Sequence, residues 1–231
     1  MVNNIESLIS KLKVLGYVVV EYTDGYMVCD KDGRYKLYKR DGDDIKVSLE
    51  YDYIRHIDGS DVSIVKKDKH YRLLYGTDRL SEEKYTNLSK EHRTNSGYNI
   101  VANLGYYVGL IDDKFNDKIP FVNMDIGVFK SSGYEWVYLC RQVDCVTIHD
   151  VNGNRLKVSE YVTNKMCILC EGCVVIGVYN GSSIKYVVRD YEGNLVCDNI
   201  DKIVYEKDNR VLAYDDKSNF LLQLSILKEI Y

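Results

Sequence analysis

Val28-Cys29-Asp30-Lys31-Asp32-Gly33 recurs in kind at Ile148-His149-Asp150-Val151-Asn152-Gly153 and again at Val188-Arg189-Asp190-Tyr191-Glu192-Gly193. In each, an apolar run reaches an Asp, and a Gly follows three residues later before a second apolar run begins. Asp closes a local side-chain-to-backbone hydrogen bond and Gly supplies a positive φ, so each stretch reads as a tight turn between two strands. Working outward, further alternating runs of four to eight residues follow from Tyr17 onward with short polar links. The chain is therefore expected to be all-β, built from tandem β-hairpins that form a propeller-like ring or a stacked β array, with one short helix at the N-terminus.

That helix rests on Ile5, Leu8, Ile9, Leu12 and Leu15, which recur at helical spacing and end at Gly16. Asn3 and Glu6 stand where an N-terminal capping pair belongs. Expected strands include Tyr26 to Cys29, Arg34 to Lys39, Val62 to Lys66 and Tyr71 to Tyr75, followed after an interruption by Tyr98 to Val101, Tyr106 to Ile111 and Leu156 to Val158. The interruption is residues 78–97. Ser81-Glu82-Glu83-Lys84 reads as a helical turn, and Lys90-Glu91-His92-Arg93-Thr94-Asn95-Ser96-Gly97 reads as loop. The expected organisation is thus residues 1–77 as helix and hairpins, 78–97 as an irregular connector or insertion, and 98–231 as further hairpins continuous with the first. The last residues, Ser225 to Tyr231, suit a strand or a single helical turn.

Composition bounds the function. The 31 basic and 35 acidic residues give a formal charge of −4, which offers no global attraction to nucleic acid or an anionic membrane. No export signal opens the sequence, and no apolar run is long enough to cross a bilayer. Seven Cys, an odd number without such a signal, favour reduced thiols and a cytoplasmic location. The 22 Tyr suit strands with half-buried positions, and they suit a binding surface equally well.

Turn landmarks near Asp30, Lys67, Asp113, Asp150, Asp190 and Asp215 are about 37, 46, 37, 40 and 25 residues apart. A step near 40 is what a four-stranded blade or two stacked hairpins need. Gly105-Tyr106-Tyr107-Val108-Gly109-Leu110-Ile111-Asp112 through Ile119-Pro120 resembles a unit of the WG-repeat family, with Gly109, Ile111, Asp112, Ile119 and Pro120 matching. Val108 stands at the family's usual Trp, and Asn116 is taken as replacing the turn Gly. The resemblance implies tandem β-hairpins and a binding or envelope-associated role, and it transfers no catalytic residue.

Few residues carry chemistry by their spacing. Cys167, Cys170 and Cys173 form two overlapping Cys-x-x-Cys spacings, a thiolate set suited to zinc or an iron–sulfur cluster if the three converge. On a strand, residues three apart face opposite sides, so the favoured expectation is core packing with no metal and no cofactor. Of His56, His70, His92 and His149, none has a zinc-ligand partner at helical spacing. His92 with Arg93, in the irregular segment, and Tyr106 with Tyr107, in the repeat unit, are the candidate binding residues. The acidic pairs Asp43-Asp44, Glu82-Glu83, Asp112-Asp113 and Asp215-Asp216 fall at turns or in the connector. No catalytic residue is assigned. The expected function is non-catalytic binding of a protein partner, with inhibition or modulation as its consequence. Nucleic-acid binding is the alternative, and a thiolate-metal enzyme is a weaker one.

Overall fold

The computed structural model describes residues 3–42, 44–162, 166–179, 181 and 183–230. Asp43, the side chain of Asn3 and Tyr231 lie outside the described residues. Helix α1 (Asn3–Val14) comes first, and all the sheets are antiparallel meanders. Sheet 1 contains β1 (Val18–Thr23), β2 (Tyr26–Lys31), β3 (Arg34–Asp41) and β4 (Asp44–Val47); sheet 2 contains β5 (Tyr53–His56), β6 (Val62–Lys67), β7 (His70–Tyr75) and β8 (Arg79–Leu80). Sheet 3 contains β9 (Asn87–Thr94), β10 (Gly97–Leu104), β11 (Tyr107–Asp112) and β12 (Asp117–Asn123). Sheet 4 is β13 (Asp125–Ser131), β14 (Glu135–Arg141) and β15 (Val146–His149). Sheet 5 is β16 (Cys167–Cys170), β17 (Cys173–Tyr179), β18 (Ile184–Asp190) and β19 (Leu195–Ile200). Sheet 6 is β20 (Lys202–Glu206), β21 (Arg210–Tyr214) and β22 (Phe220–Ser225).

The all-β expectation holds, with three local corrections. Residues 87–94 of the supposed connector are strand β9, because Leu88, His92 and Thr94 alternate inward on a pleated backbone. Ser81 to Lys84 is not helical. The Ser81 hydroxyl instead accepts the Leu73 N–H at 3.1 Å while its own N–H bonds the Leu73 carbonyl at 2.8 Å. Lys157 to Glu160 is a short 3-10 turn rather than a strand, and Ser159 there repeats the device, its hydroxyl accepting Ile148 N–H at 2.9 Å. Ser48 does the same for Leu37 in sheet 1, at 2.9 Å.

The chain divides into two compact units, one of Met1–Ser89, Ala102–Gly105 and Asp112–Asn116, the other of Lys90–Val101, Tyr106–Ile111 and Asp117–Tyr231. In the first, the two hairpin turns Asp24-Gly25 and Asp32-Gly33 have φ of 49° and 80°, and 55° and 75°. Positive φ at both central residues twists the hairpin in the sense its strands require. Helix α1 ends at Gly16 in a Schellman cap, with Tyr17 N–H on Leu12 O at 2.9 Å and Gly16 N–H on Lys13 O at 3.0 Å. Leu12 then seals one face of sheet 1 against Met27, Cys29 and Tyr38, while Tyr26 and Val28 on the other face pack with Ile54, Val65 and Leu74.

The second unit uses both faces of its sheets in the same way. In β14, Trp136, Tyr138 and Cys140 join a core with sheet 3, whereas Val137 and Leu139 join one with sheet 5. In β17, Val174 and Ile176 face that second core, and Cys173 and Val175 face sheet 6. After β22 the chain continues as an extended strap over residues 226–230. It bridges Cys170 through Ile226 and Phe129 through Glu229, and the Ile230 N–H bonds Val128 O at 2.8 Å. Glu229 also pairs with Lys90 at 3.0 Å, so one short segment ties the first strands of sheets 3, 4 and 5.

The Asp-to-Gly turns have a fuller grammar than the sequence reading gave them. Asp112, Asp150, Asp190 and Asp215 each accept the backbone N–H of the Asn four residues on at 2.7–2.8 Å, and that Asn's amide returns to the same carboxylate. The residue just before the Asn carries the positive φ, and it is Phe115, Gly153, Gly193 and Ser218 in turn. Phe115, not Asn116, therefore stands at the glycine position. Gly153 has a second constraint, because a Cβ there would come within 2.2 Å of the Lys118 carbonyl oxygen. Gly153→Ala is expected to lower stability by about 2–3 kcal/mol, against about 1 kcal/mol for Gly33→Ala, whose turn has open space; urea unfolding of the two variants measures the difference.

Candidate functional site

The four candidate binding residues do not meet. His92 and Arg93 lie near one end of β10 and Tyr106 and Tyr107 at the other, about 20 Å away at ~3.3 Å per residue. His92 is only 6% exposed and belongs to a buried polar knot rather than to a ligand-contacting loop. Its Nδ1 donates to the Lys90 carbonyl at 2.8 Å, which leaves Nε2 to accept the Tyr138 hydroxyl at 2.7 Å. The Tyr138 oxygen in turn accepts Asn99 Nδ2 at 2.8 Å, and the imidazole lies against Trp136 with centroids 4.6 Å apart. Arg93 is exposed, and its carbonyl oxygen accepts the Trp136 indole N–H at 2.8 Å. Every polar atom of the His92 ring is thus occupied inside the fold.

Burial lowers the affinity of His92 for a proton, and burial does the same for His56 and His149. His56 is stacked on Tyr26 at 4.1 Å, with Nδ1 on Ser63 Oγ at 3.0 Å and a buried Nε2 that has no partner. Since the folded state binds these protons more weakly than the unfolded chain, stability is retained above the ordinary imidazole pKa and lost as pH falls below it. The urea midpoint is expected to drop between about pH 6.5 and pH 5, and His92→Gln is expected to flatten that slope.

The cysteine trio also separates. Cys170 and Cys173 face one another across the β16–β17 turn, while Cys167 pairs with Ile176 and packs in the core on the other side of sheet 5. Among the described residues, no group of three or more His, Cys, Asp or Glu is placed to hold a metal ion. The Cys173 sulfur and then burial push the Cys170 thiol up, burial pushes Cys167 and Cys29 up to about 11, and burial pushes Cys140 up to about 12. Such thiols are protonated and poorly nucleophilic at neutral pH. With iodoacetamide on the native chain, mass spectrometry is expected to find Cys145 and Cys197 alkylated well before Cys29, Cys140 and Cys170, which are buried.

In the first unit, Asp61 gathers a second polar cluster. Its carboxylate accepts the Tyr26 hydroxyl at 2.5 Å, Lys39 Nζ at 2.8 Å and the Tyr75 hydroxyl at 3.3 Å. Lys39 and then Tyr26 hold the Asp61 carboxyl below its usual range, while burial and Asp61 push the Tyr26 phenol up to about 12. The phenol is fixed as a donor and the carboxylate as an ionised acceptor, so the cluster ties sheet 1 to sheet 2 and leaves neither group as a base.

Tyr106 and Tyr107 stand differently. They are 90% and 53% exposed, on the turn and the first residue of β11. Val108 pairs with Asn123, Met124 N–H bonds the Arg141 carbonyl at 2.7 Å, and Gln142 N–H closes the next turn on Cys145 O at 2.9 Å. These bonds bring the β10–β11 turn, the β12–β13 link and the β14–β15 turn to one end of sheets 3 and 4. There Val122, Met124 and Val143 are exposed along with the two tyrosines, beside the Arg141–Asp125 ion pair. The sequence reading found the tyrosines through the repeat-like segment and missed the other three. Their only signal was an apolar residue, Met124 and Val143, in each of two connections, with Val122 near the end of the strand before the first.

No family model matches the chain, and no curated protein matches it. Among solved structures it is similar to Kluyveromyces lactis Hsv2p at 12% identity over 87% of this chain and 72% of that one, with a TM-score of 0.33. The AfRom2 CNH domain matches at 10% identity over 94% of each chain, with a TM-score of 0.29. TolB from Acinetobacter baumannii matches at 14% identity over 92% of this chain and 63% of that one, with a TM-score of 0.31. Likenesses this distant identify no function. No helix among the described residues is long and apolar enough to cross a membrane.

Proposed function

We propose that the chain is a non-catalytic binding module whose partner is a protein, held at the rim of sheets 3 and 4. The observation that carries this reading is the exposed group Tyr106, Tyr107, Val122, Met124 and Val143, presented from three connections and the adjoining ends of β11 and β12. Tyrosine and methionine are enriched where proteins meet, and a rigid base limits the ordering entropy lost on contact. The Arg141–Asp125 pair supplies a polar border, as the margin of an interface needs. A nucleic-acid partner would call for unpaired cations at such a surface, whereas Arg141 there is matched by Asp125. Modulation of the partner follows if the rim covers a working surface on it.

The test is affinity capture with the whole chain, identification of the captured protein, and titration of the two purified components. Tyr106→Ser with Met124→Ser is expected to weaken binding at least tenfold, about 1.4 kcal/mol, with unchanged circular dichroism. Tyr205→Ser, exposed on β20, serves as the control and is expected to leave affinity unchanged. Equal affinity of the rim variant and the parent chain overturns the assignment.

A further inference from the structure

In the first compact unit, the β6–β7 hairpin ends in a cationic face. Its register sets Lys67 opposite His70 and Val65 opposite Arg72, and strand alternation puts all four side chains on one side of the sheet. Lys84, beyond β8, joins them around a concavity of about 310 Å³ with the buried Tyr51 and Val65 among its lining residues. One carboxylate, Asp68, shares the lining.

Three cations, Lys67, Arg72 and Lys84, converge on this one concavity, with none of them in an ion pair among the described residues. Elsewhere in the unit Arg34 pairs with Asp52, Lys36 with Glu50, Lys39 with Asp61 and Lys46 with Asp41. Among the described residues, no such pair forms at Lys67, Arg72 or Lys84, although acids outnumber bases in the chain by 35 to 31. Arg72 is half-buried at the lining, so the packed part of its side chain limits where its guanidinium can reach. A free anion that fits the concavity would meet all three cations at once.

We propose that this concavity binds the phosphate-monoester group of a small organic molecule. Three cations against one carboxylate leave an excess that matches a dianion better than a single carboxylate does, and His70 adds a further donor. A volume near 300 Å³ is at the small end of organic-ligand sites. The Tyr51 and Val65 surface gives the non-phosphate part an apolar contact. The site shares no residue with the protein-binding rim and stands independently of it.

Calorimetric titration of the whole chain with adenosine monophosphate, adenosine and inorganic phosphate tests the assignment. Adenosine monophosphate is expected to bind saturably with a Kd of about 0.1–1 mM at low salt and several-fold more weakly at about 0.3 M salt. Adenosine is expected to give no saturable heat, and inorganic phosphate to bind more weakly than the nucleotide. Arg72→Gln with Lys84→Gln is expected to reduce affinity at least tenfold, while Arg34→Gln and Tyr106→Ser leave it unchanged, all checked for folding by thermal melting. No saturable binding of the nucleotide, adenosine or free phosphate binding as tightly as it does, or an unaffected double variant overturns the proposal.

Discussion

Small antiparallel sheets with two apolar faces cannot stand alone in water, and that constraint governs this molecule. Three or four short strands bury little by themselves, so each face must find a cover. Sheet 1 finds α1 on one side and sheet 2 on the other; sheet 4 has sheet 3 and sheet 5. The central strands are consequently buried at consecutive positions, as in β14 and β17, instead of at every second one. Several polar groups caught in this packing are answered by the inward serines and by the His92–Tyr138–Asn99 knot, while the buried His56 Nε2 is left without a partner.

Much of the fold was legible because hairpin chemistry is local. An Asp and a Gly three residues apart announce a turn whatever surrounds them, and the flanking runs announce strands. The helix was legible for the same reason, from its spacing and Gly16. What escaped the sequence depended on partners distant along the chain. Strand β9 carries Lys90, Glu91, His92 and Arg93, a composition that reads as loop until Trp136 and Tyr138 are brought against it. Ser81, Ser48 and Ser159 looked like ordinary polar residues, since the N–H each one satisfies lies eight or eleven residues upstream. The Asn four residues after Asp112, Asp150, Asp190 and Asp215 is a local signal too, since it answers the carboxylate's second oxygen, and it is that partner rather than a replaced glycine that Asn116 represents.

The candidate site was half legible. Tyr106 and Tyr107 sit in a recognisable turn, and their exposure followed from it. Val122, Met124 and Val143 join them only through backbone pairing between segments separated along the chain, which no local pattern encodes. The cations of the β6–β7 hairpin show the same limit in another form. Lysines and arginines on strands look alike in sequence, and only the folded chain separates those that have found a carboxylate from those that have not.

The strap at residues 226–230 has a temporal consequence. It is the last of the described segments to leave the ribosome, yet it bonds strands made as early as residue 90. While synthesis proceeds, the edges at Cys170 and Phe129 remain unpaired, in a chain whose hairpins can already form locally. Closure of those edges therefore waits for the strap, and until it docks the finished sheets carry open strand edges, the stage at which they are most exposed to misassociation.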